Sequence, residues 1–229
     1  MTDAATGEDR VIPLRGARAM IADKMMSSLQ GTAQLTHHAR ADMSALLAAK
    51  ARFKAEGITL SVEDLLMGVV VQTLGRHPDI NGTLKDRSIT LSKSVDLGVA
   101  IALPGNLLAA PAIFGADKMT LTELRAARRD LAERAKTNKL TVAEMTGGTF
   151  TVSNLGLTRV DQFTPILNTP QIGILGIGRV VETAARDGDG VVWRPFAGLS
   201  LTFDHRAIDG APAAEFLTDL CQRVEGFSA

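Results

Sequence analysis

The stretch LSLTFDHRAIDG, residues 199–210, decides how the chain is interpreted. Its first half alternates leucine and phenylalanine with serine and threonine, which predicts a strand that ends near Phe203. A charged turn from Asp204 to Asp209 follows, and Gly210 permits a tight bend before an apolar helix. A strand, a polar turn and a helix in this order place charged side chains at one edge of a sheet.

His205 is the first candidate functional residue of this turn. A histidine released at a strand end is well placed to reach a cleft, and neutral imidazole is available there as a general base. Asp209 follows four positions later, where its carboxylate either caps the helix or orients a partner. The alternative from spacing alone is an exposed histidine among charged neighbours, with Asp209 as an ordinary helix cap.

A second candidate stretch, GGTFTVSNLG at residues 147–156, ends a predicted strand at Ser153 and Asn154. A hydroxyl and an amide at a strand end can donate hydrogen bonds to a developing oxyanion. The alternative is a turn that uses asparagine and glycine for their backbone tolerance. Because no Gly-x-Ser-x-Gly elbow contains Ser153, the pattern does not indicate a serine hydrolase.

The remaining chain mixes helical and extended patterns without strict alternation. Helices are predicted at 14–29, 42–57, 61–77, 120–139, 141–147 and from 211 past 220. Strands are predicted at 88–103, 149–153, 172–180 and 191–203. This mixture favours a single α+β domain with a mixed sheet over residues 11–229, preceded by a flexible arm at residues 1–10.

Three other features are interpreted structurally. The glycines within residues 173–178 lie in an apolar, strand-like segment, which favours close packing over a nucleotide-binding loop. His37 and His38 have no carboxylates at metal-ligand spacing and are interpreted as strand residues. The basic run in residues 125–136 is interleaved with acidic residues, which is typical of a solvated helix face with ion pairs.

Composition excludes several classes of protein. The 229 residues include 25 basic and 25 acidic side chains, no tyrosine and one tryptophan, which argues against a nucleic-acid-binding protein. Cys221 is the single cysteine, so no intrachain disulfide framework is possible and no metal site is expected. The N-terminus lacks the pattern of a secretory signal, and prolines interrupt the apolar stretch 97–116, so no membrane span is expected. The expected location is the cytoplasm.

Four ordered segments, at residues 14–25, 147–156, 163–179 and 201–211, resemble the catalytic domain of the dihydrolipoamide acyltransferases. These are the E2 components of 2-oxo acid dehydrogenase complexes, and the resemblance covers roughly Pro13 to Gly226. The related chloramphenicol acetyltransferases share the His-x-x-x-Asp-Gly spacing but have a second histidine where this chain has Asp204. The resemblance implies an α/β fold, a two-layer mixed-sheet sandwich of the chloramphenicol acetyltransferase-like type, assembled as a trimer with active sites at subunit interfaces.

The resemblance also implies roles for individual residues. His205 would deprotonate the thiol of coenzyme A or dihydrolipoamide, Ser153 would hydrogen-bond the oxyanion, and Asp209 would support them. Lys50 and Lys54 stand where the family often has an arginine and a lysine, which suggests contacts with CoA phosphates; the alternative is two solvated lysines. The implied assembly is a homotrimer. The implied partners are a lipoyl-domain protein and the E1 decarboxylase and E3 dehydrogenase components.

Three departures from the family pattern keep other functions open. The chain has no room for a lipoyl domain, and the family's Gly-Leu-x-Val-Pro segment reads NLLAAP at residues 106–111. The smaller residues of this segment are expected to alter the substrate channel that the resemblance implies. The tail at 225–229 lacks a leucine-rich end, so a trimer is expected as the main species. The alternatives are a non-catalytic trimeric scaffold and a CoA-dependent acyltransferase acting on a small alcohol or amine. The acyl group stays open among acetyl, succinyl and branched-chain groups.

Overall fold

The computed structural model describes residues 9, 11–105 and 107–228. The arm expected at residues 1–10 lies, apart from Asp9, outside the described residues, as does Asn106 of the altered segment. In the described ranges the helices are α1 (Ala17–Gly31), α2 (Ser44–Ala55), α3 (Val62–Arg76), α4 (Leu121–Lys136), α5 (Val142–Thr146) and α6 (Gly210–Glu225). The strands are β1 (Gln34–Asp42), β2 (Gly82–Lys85), β3 (Ser88–Leu91), β4 (Leu97–Val99), β5 (Ile101–Leu103), β6 (Leu107–Ala109), β7 (Ala112–Ile113), β8 (Phe150–Asn154), β9 (Gly173–Asp187) and β10 (Gly190–Asp204).

A six-stranded mixed sheet organises the fold, with strand order β1-β10-β9-β8-β4-β7. Strand β8 runs parallel to β9 and β4, and the other neighbouring pairs are antiparallel. Two small hairpins, β2–β3 and β5–β6, stand outside this sheet. The predicted α/β fold with a mixed sheet is therefore confirmed, and β9 and β10 are longer than the sequence pattern indicated.

The apolar side chains of β10 anchor the end of that strand in the core. Leu199, Leu201 and Phe203 are fully buried, and α6 packs against β1, β10 and α3. Burial of each such side chain stabilises the fold by about 1.5–3 kcal/mol. Because three of these side chains precede the charged turn, the backbone that carries the turn is held in a single position.

Capping boxes start three of the helices. The Ser61 hydroxyl and the Asp64 carboxylate cap α3 reciprocally, and α4 and α5 begin with the same arrangement at Thr120 and Thr141. The two capping boxes predicted at Thr120 and Thr141 are confirmed. Helix α4 ends at Lys136, three residues before the predicted end.

The interpretation of the basic run on α4 as a solvated face is only partly correct. Arg134 pairs with Asp130 and Glu144 on the protein surface, as expected. Arg128, however, is only 20% exposed and donates from Nε to the buried Asp64 carboxylate at 2.8 Å. Burial opposes ionisation of Asp64, but hydrogen bonds from Arg128 and Ser61 hold the pKa of the carboxyl below its ordinary value. Arg128 therefore joins α4 to α3 and does not serve as a solvated charge.

Candidate active site

The turn after β10 is held by a buried carboxylate. Asp204 is almost fully buried and accepts two hydrogen bonds from Arg206 Nε, at 2.9 and 3.1 Å, and one from the Ala33 amide. Burial opposes ionisation of Asp204, yet these hydrogen bonds hold its pKa below the ordinary value. The amide of His205 donates to the Ala33 carbonyl at 2.8 Å. The backbone on both sides of the His205 side chain is thus fixed.

The His205 side chain reaches solvent from this fixed backbone. It is 43% exposed, and its Nδ1 atom lies 3.7 Å from the Asp209 carboxylate, slightly beyond hydrogen-bond distance. Asp209 precedes α6, but its side chain makes no capping hydrogen bond to the helix. The interpretation of Asp209 as an ordinary helix cap is therefore wrong. Its carboxylate lies beside the imidazole.

Ser153 lies near the end of β8 and is half-buried. Within the described part of the chain its hydroxyl makes no hydrogen bond, so the hydroxyl is available to a ligand. Its neighbour Asn154 accepts a hydrogen bond from the Gly156 amide at 2.8 Å. Asn154 and Gly156 therefore form a turn, as the alternative interpretation expected. The Ser153 hydroxyl is not used in that turn and stays a candidate hydrogen-bond donor.

A row of residues crosses the sheet at the level of Ser153. Ser153 pairs with Gly176, Gly176 with Ser200, and Ser200 with His38. His38 Nδ1 lies 2.9 Å from the Ser200 hydroxyl, so these side chains point to one face of the sheet. A Cβ added to Gly176 would meet the Phe163 ring at 2.9 Å, so this glycine lets the ring cover the strand. This confirms the packing interpretation of the glycines.

Sequence reasoning missed Phe163 and Ser200 as neighbours of the candidate site. The signal for Ser200 was the alternation of residues 199–203, which places every second side chain on the polar face. No local pattern indicates the contact between Phe163 and Gly176. His37 and His38 are confirmed as strand residues of β1. Among the described residues, no group of three or more histidine, cysteine or acidic side chains is arranged to hold a metal ion.

Ser153 and His205 do not meet within one chain. Ser153 is level with Ser200, two strands away, and Asp204 lies four residues further along β10. Strand spacing of ~4.8 Å and a rise of ~3.3 Å per residue put Ser153 about 16 Å from Asp204, and His205 further still. One reacting carbonyl group therefore cannot be close to both the Ser153 hydroxyl and the His205 imidazole of the same chain.

Lys50 and Lys54 lie one helical turn apart on α2. This helix follows the Asp42 end of β1, whereas the Gln34 end of β1 pairs with Asp204. The structure therefore does not bring the two lysines to His205, and their contact with phosphates stays a prediction. Separately, none of the helices in the described ranges is long and apolar enough to cross a membrane.

Comparison with known proteins gives consistent matches. The family pattern of the 2-oxoacid dehydrogenases acyltransferase (catalytic domain) matches residues 6–229. The chain is 40% identical, over 90% of its length, to the dihydrolipoyllysine-residue acetyltransferase component of the acetoin cleaving system of Bacillus subtilis. It is 30% identical, over 97% of its length, to a dihydrolipoyllysine-residue succinyltransferase component from Haemophilus influenzae. The chain spans 53% and 55% of the length of these two relatives.

Solved structures agree with the sequence matches. The dihydrolipoamide acetyltransferase of Azotobacter vinelandii, in which the catalytic roles of a serine, a histidine and an asparagine were investigated, has a TM-score of 0.90 at 32% identity and covers 98% of this chain and 95% of its own. The cubic core of a pyruvate dehydrogenase multienzyme complex has a TM-score of 0.89 at 32% identity, with 98% and 95% covered. A chloramphenicol acetyltransferase has a TM-score of 0.55 at 16% identity, over 90% of this chain and 93% of its own, and shares the fold.

Proposed function

Because this chain belongs to the family of 2-oxoacid dehydrogenase acyltransferase catalytic domains, we propose that it transfers an acyl group between the thiols of dihydrolipoamide and coenzyme A. The observation that carries the proposal is the His205 imidazole beside the Asp209 carboxylate, on a turn fixed by Asp204. Ser153 and His205 are as far apart along the chain as the serine and histidine studied in the Azotobacter vinelandii enzyme. Asp209 stands at the position of its asparagine.

In this reaction neutral His205 removes the proton from the attacking thiol through Nε2. The thiolate sulfur adds to the thioester carbonyl carbon, and the Ser153 hydroxyl donates a hydrogen bond to the resulting oxyanion. Collapse of the tetrahedral intermediate breaks the bond to the second sulfur, which takes the proton back from His205. The Asp209 carboxylate beside Nδ1 stabilises the imidazolium formed between these two proton transfers.

The two catalytic side chains of one reaction come from different subunits in this proposal. The separation of Ser153 and His205 within one chain supports it, because a neighbouring copy has to supply the missing member. The similarity to a multimeric dehydrogenase core supports it as well. A threefold rotation places the Ser153 surface of each chain against the His205 surface of the next and closes on itself.

Threefold assembly leads to an expected mass. In solution the protein should form a trimer of 24.2 kDa chains, or a multiple of that trimer, and should lose transferase activity when it dissociates. Light scattering coupled to size-exclusion chromatography measures the mass, and an assay across a dilution series measures the activity. A monomer that keeps full activity would contradict the shared site.

The substrates and partners follow from the same proposal. Lys50 and Lys54 on α2 contact phosphates of coenzyme A. The lipoyl group arrives on a lipoyl domain carried by another chain or by a further segment of a longer protein. E1 decarboxylase components load that group with the acyl unit, and E3 dehydrogenase components reoxidise it.

A direct assay tests the proposed function. Acetyl-CoA is incubated with free dihydrolipoamide, and mass spectrometry quantifies S-acetyldihydrolipoamide, with the His205→Ala variant as the background control. Formation of the thioester well above this background supports the proposal. Absence of transfer from any acyl-CoA would favour a non-catalytic scaffold. Transfer to a small alcohol or amine in place of dihydrolipoamide would favour the related antibiotic-modifying chemistry.

A further inference from the structure

The acyl group is the part of the reaction that family membership leaves undecided. Relatives of this chain are components that transfer acetyl groups and components that transfer succinyl groups. The two groups differ in charge, because succinyl ends in a carboxylate and acetyl does not. Side chains that surround the acyl group have to discriminate between them, those next to His205 included, and the following inference rests on the proposed function.

A cavity of about 350 Å³ opens directly beside the Asp209 end of the turn, and we name it the acyl cavity. Its apolar walls are Ile89 and Leu91 of β3 together with Ala207 and Pro212. Asp209 lines the cavity and also lies 3.7 Å from the His205 ring. A group bound in this cavity is therefore adjacent to the base.

The charged side chains of the acyl cavity are both acidic. Asp79 and Asp209 both line it, and neither lysine nor arginine is among its lining residues in the described part of the chain. Asp79 forms no ion pair within that part either. A carboxylate placed between these walls would meet two like charges and apolar surface, with no donor to compensate it.

The cationic side chain of the turn lines a different cavity. Arg206 is committed to the Asp204 carboxylate and lines a second cavity together with Lys85. This second cavity reaches the turn at Asp204 and Arg206, and Asp209 does not line it. The two cavities thus differ in charge: Lys85 and Arg206 line the second cavity, whereas no lysine or arginine of the described residues lines the acyl cavity.

We propose that the acyl cavity receives the acyl group and selects uncharged acyl groups over those that end in a carboxylate. Acetyl and short branched groups fit a volume of this size and match the walls formed by Ile89 and Leu91. Succinyl is disfavoured because its carboxylate would meet the like charges of Asp79 and Asp209. We expect kcat/KM for succinyl-CoA to be about 100-fold below that for acetyl-CoA.

Two neighbouring variants on β3 and a third variant at Asp79 test the proposal in the full chain. Acetyl-CoA, isobutyryl-CoA and succinyl-CoA are compared with dihydrolipoamide as acceptor. Ile89→Lys places an ammonium in the acyl cavity. It should raise the ratio of the succinyl-transfer rate to the acetyl-transfer rate by about tenfold. Thr90→Lys adds the same charge to the opposite face of β3 and should leave this ratio unchanged. Asp79→Asn removes one repelling charge and should raise the ratio by about threefold.

Each result of this comparison decides between distinct conclusions. Wild-type protein that uses succinyl-CoA as well as acetyl-CoA would overturn the selectivity while leaving the proposed function intact. An equal shift in Ile89→Lys and Thr90→Lys would show that the cavity does not hold the acyl group. Failure of the wild type to transfer all three groups would contradict the proposed function itself, and this inference with it. Circular dichroism checks that all three variants are folded; Ile89 and Thr90 are exposed positions of β3, and Asp79 is exposed as well.

Discussion

His205→Ala should lower the rate of thiol acylation by about 10²–10⁴-fold, because the thiol then loses its general base. The side chain is 43% exposed and the backbone of its turn is held by Asp204, so the variant should keep its fold and its assembly. Discontinuous assays with acetyl-CoA and dihydrolipoamide measure the transfer rates of the wild type and the variant. Thermal melting compares their stabilities.

The pH dependence of the residual activity separates a base from a structural residue. Without His205 the reaction depends on thiolate formed in solution, so the remaining rate should rise steeply with pH toward the ordinary range of thiol ionisation. A well-folded His205→Ala variant with near-normal activity at neutral pH would contradict the assignment. A His205→Ala variant whose loss of transfer rate is independent of pH would also contradict the assignment.

Ser153→Ala should lower kcat by about 10²–10³-fold and leave substrate affinity nearly unchanged, because in the proposed mechanism its hydroxyl donates to an oxyanion that the bound substrates do not yet have. Separate determination of kcat and KM for both thiol substrates measures this effect. Thr151→Val on the same strand is the matched control, since it also removes a hydroxyl but lies deeper in the sheet against Gln171. Trapping of a covalent acyl group on Ser153 would refute the role as a hydrogen-bond donor.

Local patterns were sufficient to predict the strand, turn and helix around His205. The alternation before Phe203 depends on neighbouring residues only, and it appears in the structure as a strand. Gly210, predicted to form a tight turn, is instead the first residue of α6 and has no positive φ. The capping boxes at Thr120 and Thr141 also depend on neighbouring residues only, since both partners lie within one helical turn. Such features need no knowledge of how the elements pack.

Features that depend on packing could not be predicted in this way. Arg128 reaches Asp64 only because α4 lies against α3, and nothing in the residues between them indicates that contact. Asp79 and Ile89 meet the turn after β10 through tertiary contacts alone, so the acidic cavity has no signature in the sequence. The role of Asp209 was ambiguous for a related reason. Whether its carboxylate contacts the helix or the imidazole is decided by the geometry of the turn.

The placement of Ser153 and His205 far apart on one rigid sheet has a consequence for genetics. Two inactive proteins, one carrying Ser153→Ala and the other His205→Ala, should complement each other when their subunits mix. Every mixed trimer then contains one interface with an intact serine from one parent and an intact histidine from the other. Random assembly of equal amounts makes about three-quarters of the trimers mixed, which restores about one quarter of the wild-type sites. Two variants that are each inactive alone would therefore restore transferase activity when they are expressed together.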